Sequence, residues 1–167
     1  MPRPHPQHLR GFSYRGVHRY SLRFCTDKRR PLLASSLSVT LVRSQIERAA
    51  IEQHFAVLAY CFMPDHVHLL IEGEDSESDC LRFIARAKQY SGFAFAREFH
   101  AGLWQRYGYE RVLRSDESNA VVARYILENP VRAGLAARVD DYPFTGSFRY
   151  SLAELLEWAY SDVRKGQ

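Results

Sequence analysis

The sequence predicts an α+β fold of the ferredoxin-like kind, in which a split β-α-β arrangement forms a four-stranded antiparallel sheet and further helices follow at the C-terminus. Three observations predict it. Residues 55–62 are eight consecutive apolar residues, the length and composition of a strand buried on both faces. After a break at 63–65, residues 66–71 alternate as a second strand does. Helical periodicity precedes and follows this pair of strands.

The first half of the chain supplies a strand and a helix before that pair. Residues 18–26 alternate and predict a strand with Tyr20, Leu22 and Phe24 on one face. Residues 36–54 repeat apolar side chains at three- and four-residue steps, which predicts a helix. That helix buries Val39, Val42, Ile46, Ala49 and Ala50.

A second helix and a fourth strand complete the sheet. Ser78 or Asp79 is expected to cap a helix after the acidic loop 74–79. Its predicted apolar stripe is Leu81, Ile84, Ala85 and Ala87. Residues 103–113 predict a strand kinked at Gly108. The resulting order β-α-β-β-α-β leaves one sheet face open, yet residues 55–62 are apolar on both faces, so another element must cover it.

A third helix is the expected cover. Ser115 can cap it, and Pro130 should end it at Asn129 because proline disfavours helical backbone in the residue before it. Its predicted apolar stripe is Val121, Val122, Tyr125 and Ile126. Residues 142–147 look like a loop, and residues 151–167 are expected to hold a terminal amphipathic helix.

Length and composition indicate one domain over 1–167, with residues 1–15 as a basic flexible arm. Three cysteines without CxxC spacing argue against a disulfide framework, and no apolar run approaches the ~20 residues of a membrane span. The polar N-terminus lacks the apolar segment of an export signal. These features predict a cytoplasmic protein without membrane association.

Positive charge is concentrated at the N-terminus. Residues 1–30 carry eight Lys or Arg side chains against one acidic residue, Asp27. Such an arm is expected either to contact phosphates or to be merely a solvated tail, and nearby aromatic residues favour nucleic acid. The predicted DNA-binding residues are Arg3, Arg10, Arg15 and Arg19.

Two histidines share one face of the second central strand. His66 and His68 are about 7 Å apart along it and can converge on a divalent ion. Two histidines alone can equally be structural. Asp65 can orient His66 or simply form the turn, and a zinc site that includes Cys61 is a further alternative.

Four motifs in order resemble the REP-associated tyrosine transposases, members of the HUH single-tyrosine nucleases. They are CFMPDHVHLLIEG (61–73), LWQ (103–105), RYILENPVRAGL (124–135) and DYPFTGS (141–147). The resemblance covers about residues 12–150. It implies that His66, His68 and Asn129 bind Mg²⁺ or Mn²⁺ and that Tyr125 is the nucleophile. It also implies cleavage and rejoining of single-stranded DNA beside a REP-like hairpin, through a 5′-phosphotyrosyl intermediate, by a monomer or homodimer.

The chemistry suits these residue types. A tyrosine phenolate is both a nucleophile and a leaving group, so a phosphotyrosyl bond can form and reverse. A divalent ion offsets the phosphate charge. Tyr90 is the rival nucleophile, although its position four residues on is Ala94, which cannot bind metal. Two other function classes stay open: a phosphoesterase that uses metal-bound water, and a non-catalytic module that binds single-stranded nucleic acid.

Overall fold

The computed structural model describes residues 8–161, which form a sheet with helices on both faces. The strands are β1 (Arg19–Cys25), β2 (Phe55–Met63), β3 (His66–Gly73), β4 (Tyr109–Val112) and β5 (Thr145–Gly146). The helices are α1 (Ser36–Glu52), α2 (Cys80–Phe99), α3 (Asn119–Leu127), the short α4 (Asn129–Arg132) and α5 (Leu152–Ala159). The strand order is β4-β1-β3-β2-β5, and each neighbouring pair is antiparallel. The predicted ferredoxin-like fold is confirmed, with a fifth strand added.

The core on the first face of the sheet follows the predicted alternation. Tyr20, Leu22 and Phe24 of β1 are buried there with the five predicted residues of α1. Val67, Leu69 and Ile71 of β3 join the same cluster under α1 and α2. Hydrophobic burial of this face therefore holds both long helices to the sheet.

Every residue of β2 is buried, as its apolar composition predicts. A bulge between Val57 and Ala59 interrupts the register with β3, so Leu58 and Ala59 both join the cluster on the second face. That cluster includes Ala123, Ile126 and Leu127 of α3 and Leu155 of α5. The predicted cover on the open face is therefore present.

The predicted stripe of α2 is wrong in part. Asp79 caps the helix by accepting a hydrogen bond from the Arg82 amide. The buried residues are Cys80, Phe83, Ala87, Ser91 and Phe95, whereas Leu81 and Ala85 are exposed. Both sets repeat at helical spacing, and only the docking of the helix selects between them.

The predicted starts of β4 and α3 are also corrected. β4 begins at Tyr109, and Trp104 contributes only a single bridge to Thr26. Ser118 rather than Ser115 caps α3, because the Glu117 carboxylate accepts from the Arg114 amide and holds residues 114–117 as a turn. Arg19 stabilises this turn by donating to the carbonyls of residues 114 and 117.

The chain after α3 stays helical instead of stopping at Asn129. Pro130 lies in the first turn of α4, where its missing N–H costs no hydrogen bond. The predicted stripe of α3 is wrong for two residues: Val121 is 44% exposed and Tyr125 is 59% exposed. The buried residues are Ala120, Ala123, Ile126 and Leu127.

The predicted loop 142–147 contains the edge strand β5. The Tyr142 hydroxyl donates to the Phe62 carbonyl at 2.7 Å, and β5 then pairs with β2. A Cβ at Gly146 would lie 2.6 Å from the Tyr60 hydroxyl, so only glycine fits this approach. Ser151 and Glu154 form a capping box for α5.

The described part of the predicted arm, residues 8–15, packs on the domain. Tyr14 is buried against Tyr20, and its carbonyl accepts from the Cys80 amide. Arg3 and residues 162–167 of the predicted terminal segment lie outside the described residues. Within residues 8–161, no helix has the length and hydropathy needed to cross a bilayer.

Candidate active site

The second face of the sheet places the two histidines beside cationic and apolar neighbours. His68 on β3 is paired with Arg23 of β1 on one side and with Cys61 of β2 on the other. His66 is paired in the same way with Cys25 and Met63. Because neighbouring residues in register share a face, these side chains form the floor of the site.

The imidazoles of His66 and His68 converge, with their Nε2 atoms 3.1 Å apart. The Asp65 carboxylate accepts a hydrogen bond from His66 Nδ1 at 2.6 Å, and Arg29 Nε donates to the other carboxylate oxygen at 2.7 Å. With Nδ1 protonated, the Nε2 lone pair of His66 points towards His68. Asp65 therefore orients His66 as well as forming the turn.

Lys28 and Arg29 form a strained turn that places the Arg29 guanidinium next to Asp65. Both residues have left-handed backbone, with φ of 53° and 57°. Buried Thr26 anchors the turn by donating its hydroxyl to the carbonyls of Arg30 and Asp65. Burial alone would raise the pKa of Asp65, but its hydrogen bonds to His66 and Arg29 outweigh burial and lower that pKa. The carboxylate is thus ionised at neutral pH.

Both histidines are held neutral, as metal ligands must be. Burial lowers the pKa of His66 despite the opposing effect of Asp65. Burial, followed by the charges of His66 and Arg23, lowers the pKa of His68 to about 3. Two ligand atoms about 2.1 Å from one ion and at right angles to each other lie about 3 Å apart. The donor pair therefore fits a divalent ion.

The Asp65 contact gives a testable expectation for metal binding. Asp65→Ala should weaken Mn²⁺ binding to the DNA-free protein by about 10–100-fold, because the His66 ring loses its orientation. Asp65→Asn should lose less, since its amide oxygen can still accept from Nδ1. Calorimetric titration measures both. Asp75→Ala is the matched control, because Asp75 makes the same contact with His54 at 2.6 Å elsewhere. Unchanged Mn²⁺ affinity in Asp65→Ala would show that this contact is irrelevant to the metal.

Tyr125 lines the same cavity as His68. This cavity, called the Tyr125 cavity below, has a volume of about 450 Å³ and lies between α3 and the β1–β4 edge of the sheet. Its lining residues are Ser21, Arg23, His68, Tyr109, Arg111, Glu117, Val121, Val122, Tyr125 and Ile126. With 59% of Tyr125 exposed, the ring is a surface group at the mouth of a cleft rather than a core aromatic.

Arg132 connects Tyr125 to the histidines. Its guanidinium carbon lies 4.1 Å from the centroid of the Tyr125 ring, and Nη2 donates to the Tyr125 carbonyl at 2.6 Å. The charge of Arg132 is also one of the smaller contributions that lower the pKa of His68. A cation beside both groups can bind a phosphate placed between them.

Asn129, the predicted third ligand, lies one helical turn after Tyr125, as its spacing requires. Its Nδ2 donates to the carbonyls of Tyr125 and Ile126 at 3.3 and 3.1 Å. This orientation leaves Oδ1 as the atom able to bind a cation. Among residues 8–161, no cluster of three His, Cys, Asp or Glu side chains is arranged to hold a metal ion. The role of Asn129 as a third ligand stays a prediction.

Comparisons with known proteins identify the family of the chain. The model of the family described as "Transposase IS200 like" matches residues 16–129, more than half of the chain. The chain belongs to the IS200-like transposase family. A protein assigned as a REP-associated tyrosine transposase in Haemophilus influenzae is 29% identical over 68% of this chain and 70% of its own length.

Two further relatives extend the match. The REP-associated tyrosine transposase of Escherichia coli is 28% identical over 71% of this chain and 72% of its own length. The solved structure of a REP-associated tyrosine transposase bound to a REP hairpin superposes with a TM-score of 0.68, at 20% identity over 83% of this chain and 81% of that one. The predicted resemblance to REP-associated tyrosine transposases is confirmed. A transposase-like, DNA-processing function follows from membership of the family.

Tyr90 and Cys61, the alternative nucleophile and the alternative metal ligand, are less well placed than Tyr125 and Asn129. Tyr90 lies on α2, which covers the opposite face of the sheet from the histidines. Its hydroxyl donates to the Glu52 carboxylate of α1 at 2.6 Å. Cys61 is next to His68 in register, but within residues 8–161 it does not form with His66 and His68 a three-residue cluster arranged to hold a metal. Burial raises the pKa of its thiol to about 12.

The three predicted DNA-binding arginines that the structure describes, Arg10, Arg15 and Arg19, do not line the Tyr125 cavity. Arg10 lines a different cavity, Arg15 pairs with Asp79 at 3.3 Å, and Arg3 is outside the described residues. Arg19 donates to Asn119 Oδ1 at 2.9 Å in addition to the turn carbonyls. Their contact with DNA stays a prediction.

Four arginines of the described residues surround the site: Arg23, Arg29, Arg111 and Arg132. None of the four was predicted from the sequence as a site residue. The position of Arg132, seven residues after Tyr125, would have placed it on the same face if the helix had been extended past Pro130. Arg23 could be found only from the pairing of β1 with β3, which a single sequence does not reveal.

Proposed function

We propose that this protein is a metal-dependent single-stranded DNA endonuclease and strand transferase that acts beside DNA hairpins through a 5′-phosphotyrosyl intermediate. The observation that carries the proposal is that exposed Tyr125 and neutral His68 line one cavity. The arginine stacked on the Tyr125 ring supplies a positive charge at the same place. A nucleophile, a donor pair for a cation and a phosphate-binding group are the parts that phosphodiester transfer requires.

The transfer exchanges one phosphodiester bond of the DNA for a phosphodiester bond to Tyr125. The Tyr125 oxygen, having lost its proton, forms a bond to the scissile phosphorus while the bond from phosphorus to the 3′ oxygen breaks. The leaving 3′ oxygen takes up a proton, and the downstream strand stays joined to Tyr125 through its 5′ phosphate. Attack by another 3′-hydroxyl reverses these steps and rejoins DNA without an external energy source.

His66 and His68 would hold Mg²⁺ or Mn²⁺, with Oδ1 of Asn129 as a third ligand. The bound ion would offset charge on the non-bridging phosphate oxygens and orient the phosphate. Arg132 would hold the phosphate against the Tyr125 oxygen, and Arg23 would add positive charge on the floor. Asp65 would hold the His66 ring through its contact with Nδ1, and Arg29 would hold the Asp65 carboxylate in place.

Support for a hairpin substrate comes from the relatives. The superposable solved structure is of a transposase bound to a REP hairpin, and both sequence relatives are REP-associated transposases. Unpaired bases can be splayed onto the exposed aromatic rings that line the Tyr125 cavity, those of Tyr109 and Tyr125, whereas a stacked duplex would present little beyond its backbone. Single-stranded DNA next to the hairpin is therefore the proposed site of cleavage.

An end-labelling experiment tests this function. A hairpin oligonucleotide with a single-stranded flank, incubated with the protein and Mn²⁺, should give a protein–DNA adduct that survives denaturing gels. Label at the 3′ end should appear on the protein, and label at the 5′ end should not, because the enzyme retains the 5′ phosphate. The matching blunt duplex should bind weakly and give no adduct.

The same gel separates the alternatives. Cleavage without any adduct would identify a phosphoesterase that uses metal-bound water. Metal-independent binding of the flanked hairpin without cleavage would identify a non-catalytic binding module. Equal affinity for the blunt duplex and the flanked hairpin at fixed salt would contradict recognition of the transposase type.

A further inference from the structure

A second cavity, of about 840 Å³, lies on the other face of β4 from the Tyr125 cavity. Glu110 lines the second cavity, whereas its neighbours Tyr109 and Arg111 line the first. Side chains alternate across a strand, so the two cavities are separated by the width of the edge strand alone. We call the second cavity the α2 groove; its lining residues are His8, Arg10, Leu81, Ile84, Ala85, Lys88, Arg106, Tyr107, Gly108 and Glu110.

The floor of the α2 groove is an apolar helix face that is only partly covered: Ile84 is half-buried against the core, whereas Leu81 and Ala85 are exposed. Leu81, Ile84 and Ala85, with Lys88, are spaced as i, i+3, i+4 and i+7, which places them on one side of α2. Leu81 is 39% exposed, although its periodicity predicts a core residue. An apolar stripe that is partly open to solvent and lines a cavity can serve as a binding surface.

The rim of the α2 groove is predominantly cationic. Arg10 and Arg106 supply positive charge at the rim and Lys88 supplies it at the floor, while the one carboxylate among the described lining residues, that of Glu110, is in contact with His8 Nδ1. Lys88 Nζ donates to the carbonyls of Gln105 and Arg106 at 2.7 and 3.1 Å, which fixes the ammonium at the floor.

An aromatic ring completes the arrangement. Tyr107 is 49% exposed, and the Arg106 guanidinium carbon lies 5.4 Å from its ring centroid. Cations interleaved with an aromatic and apolar surface are typical of single-strand binding, in which bases stack while phosphates meet arginine. The core of a protein–protein interface is instead depleted of charge. The charge and the ring together favour single-stranded DNA over a second copy of the chain.

We propose that the α2 groove binds the single-stranded DNA that continues past the Tyr125 cavity around the β4 edge. Bases lie on Tyr107 and the apolar floor, and phosphates lie at Arg10 and Arg106. The proposal rests on the proposed function, since it assigns the path of that substrate. It places a second contact for DNA outside the catalytic groups.

Binding measurements on two hairpins test the α2 groove. One labelled hairpin carries a flank of about ten nucleotides, and the other lacks the flank. Ala85→Glu puts a carboxylate on the floor, and Arg106→Ala removes a phosphate contact. Each should lower affinity for the flanked hairpin about tenfold, measured by fluorescence anisotropy at fixed salt, and change affinity for the flankless hairpin less than about twofold.

Matched controls are available on the same helix. Ala96→Glu and Arg97→Ala change exposed residues about 12 Å or more beyond Lys88 along α2 and should leave both affinities unchanged. Arg106→Ala should also reduce the salt dependence by about 0.7 units of slope. If the groove variants bind the flanked hairpin as their controls do, or if the flank adds no affinity, the proposal is overturned. Sedimentation showing that Ala85→Glu dissociates a dimer would assign the groove to a second copy, and that too overturns it.

Cleavage assays separate this proposal from the proposed function. At saturating DNA the groove variants should still form the covalent adduct, because the catalytic groups are untouched. If the groove variants form the adduct and bind the flanked hairpin with wild-type affinity, the cleavage function is supported and the DNA-binding role of the groove is contradicted. A different result is that the wild type forms no adduct but binds the flanked hairpin more tightly than the flankless one, and that the groove variants lose this difference. That result would support the groove and contradict the cleavage function.

Discussion

Tyr125→Phe should reduce adduct formation and cleavage by about 10⁴-fold or more while flanked-hairpin binding persists. Only the hydroxyl is lost, so the ring remains under the Arg132 guanidinium and the α3 backbone is unchanged. Removing the nucleophile of a covalent mechanism removes the reaction route itself. Quantitative denaturing gels with Mn²⁺ measure the rate, and anisotropy measures the affinity.

Tyr90→Phe provides the control for this substitution. It removes a hydroxyl that contacts Glu52 on the opposite face of the sheet, so cleavage should remain at the wild-type rate. Adduct formation that survives in Tyr125→Phe and disappears in Tyr90→Phe would assign the nucleophile to α2 and contradict the site described above.

The sequence predicts the two strands at this candidate site better than it predicts the buried face of the helix that carries Tyr125. The apolar run of β2 and the alternation of β3 depend only on local composition, so both strands and the shared face of the histidines are predicted correctly. Tyr125 and Asn129 are likewise separated by one helical turn. The stripe of α3 was predicted wrongly, because a helical wheel with apolar residues on several sides does not reveal which side docks.

Long-range contacts explain the remaining differences. Ser115 and Ser118 both fit a helix cap, and the Arg19 contacts with the turn before α3 determine that Ser118 is used. A two-residue strand such as β5 is too short for any periodicity to be recognised. Arg23 reaches His68 only through the pairing of β1 with β3.

His66→Ala and His68→Ala should each lower cleavage by about 10³-fold or more without unfolding the protein. In the proposed mechanism, the ion that they would hold would supply several kcal/mol of charge stabilisation to the transition state. Neither imidazole is part of the two hydrophobic clusters, so the free energy of unfolding should fall by less than about 1 kcal/mol. Core truncations cost about 2–5 kcal/mol by comparison. Adduct gels and thermal unfolding give the two quantities.

His18→Ala is the matched control, since His18 is a half-buried histidine that contacts Phe12 away from the site. It should retain full cleavage. Asn129→Ala should lose less activity than either site histidine, because water can replace one amide ligand. If both site variants lose several kcal/mol of stability, the histidines are structural and the metal assignment is wrong.

Peptide mapping of the trapped adduct tests the central claim most directly. Wild-type protein is incubated with the flanked hairpin and Mn²⁺, the adduct is digested with nuclease and protease, and the modified peptide is sequenced by mass spectrometry. The structure predicts that a 5′-nucleotide is attached to Tyr125, in the peptide that follows Arg124. Attachment to Tyr90 or any other residue, or cleavage without a modified tyrosine, would contradict the account.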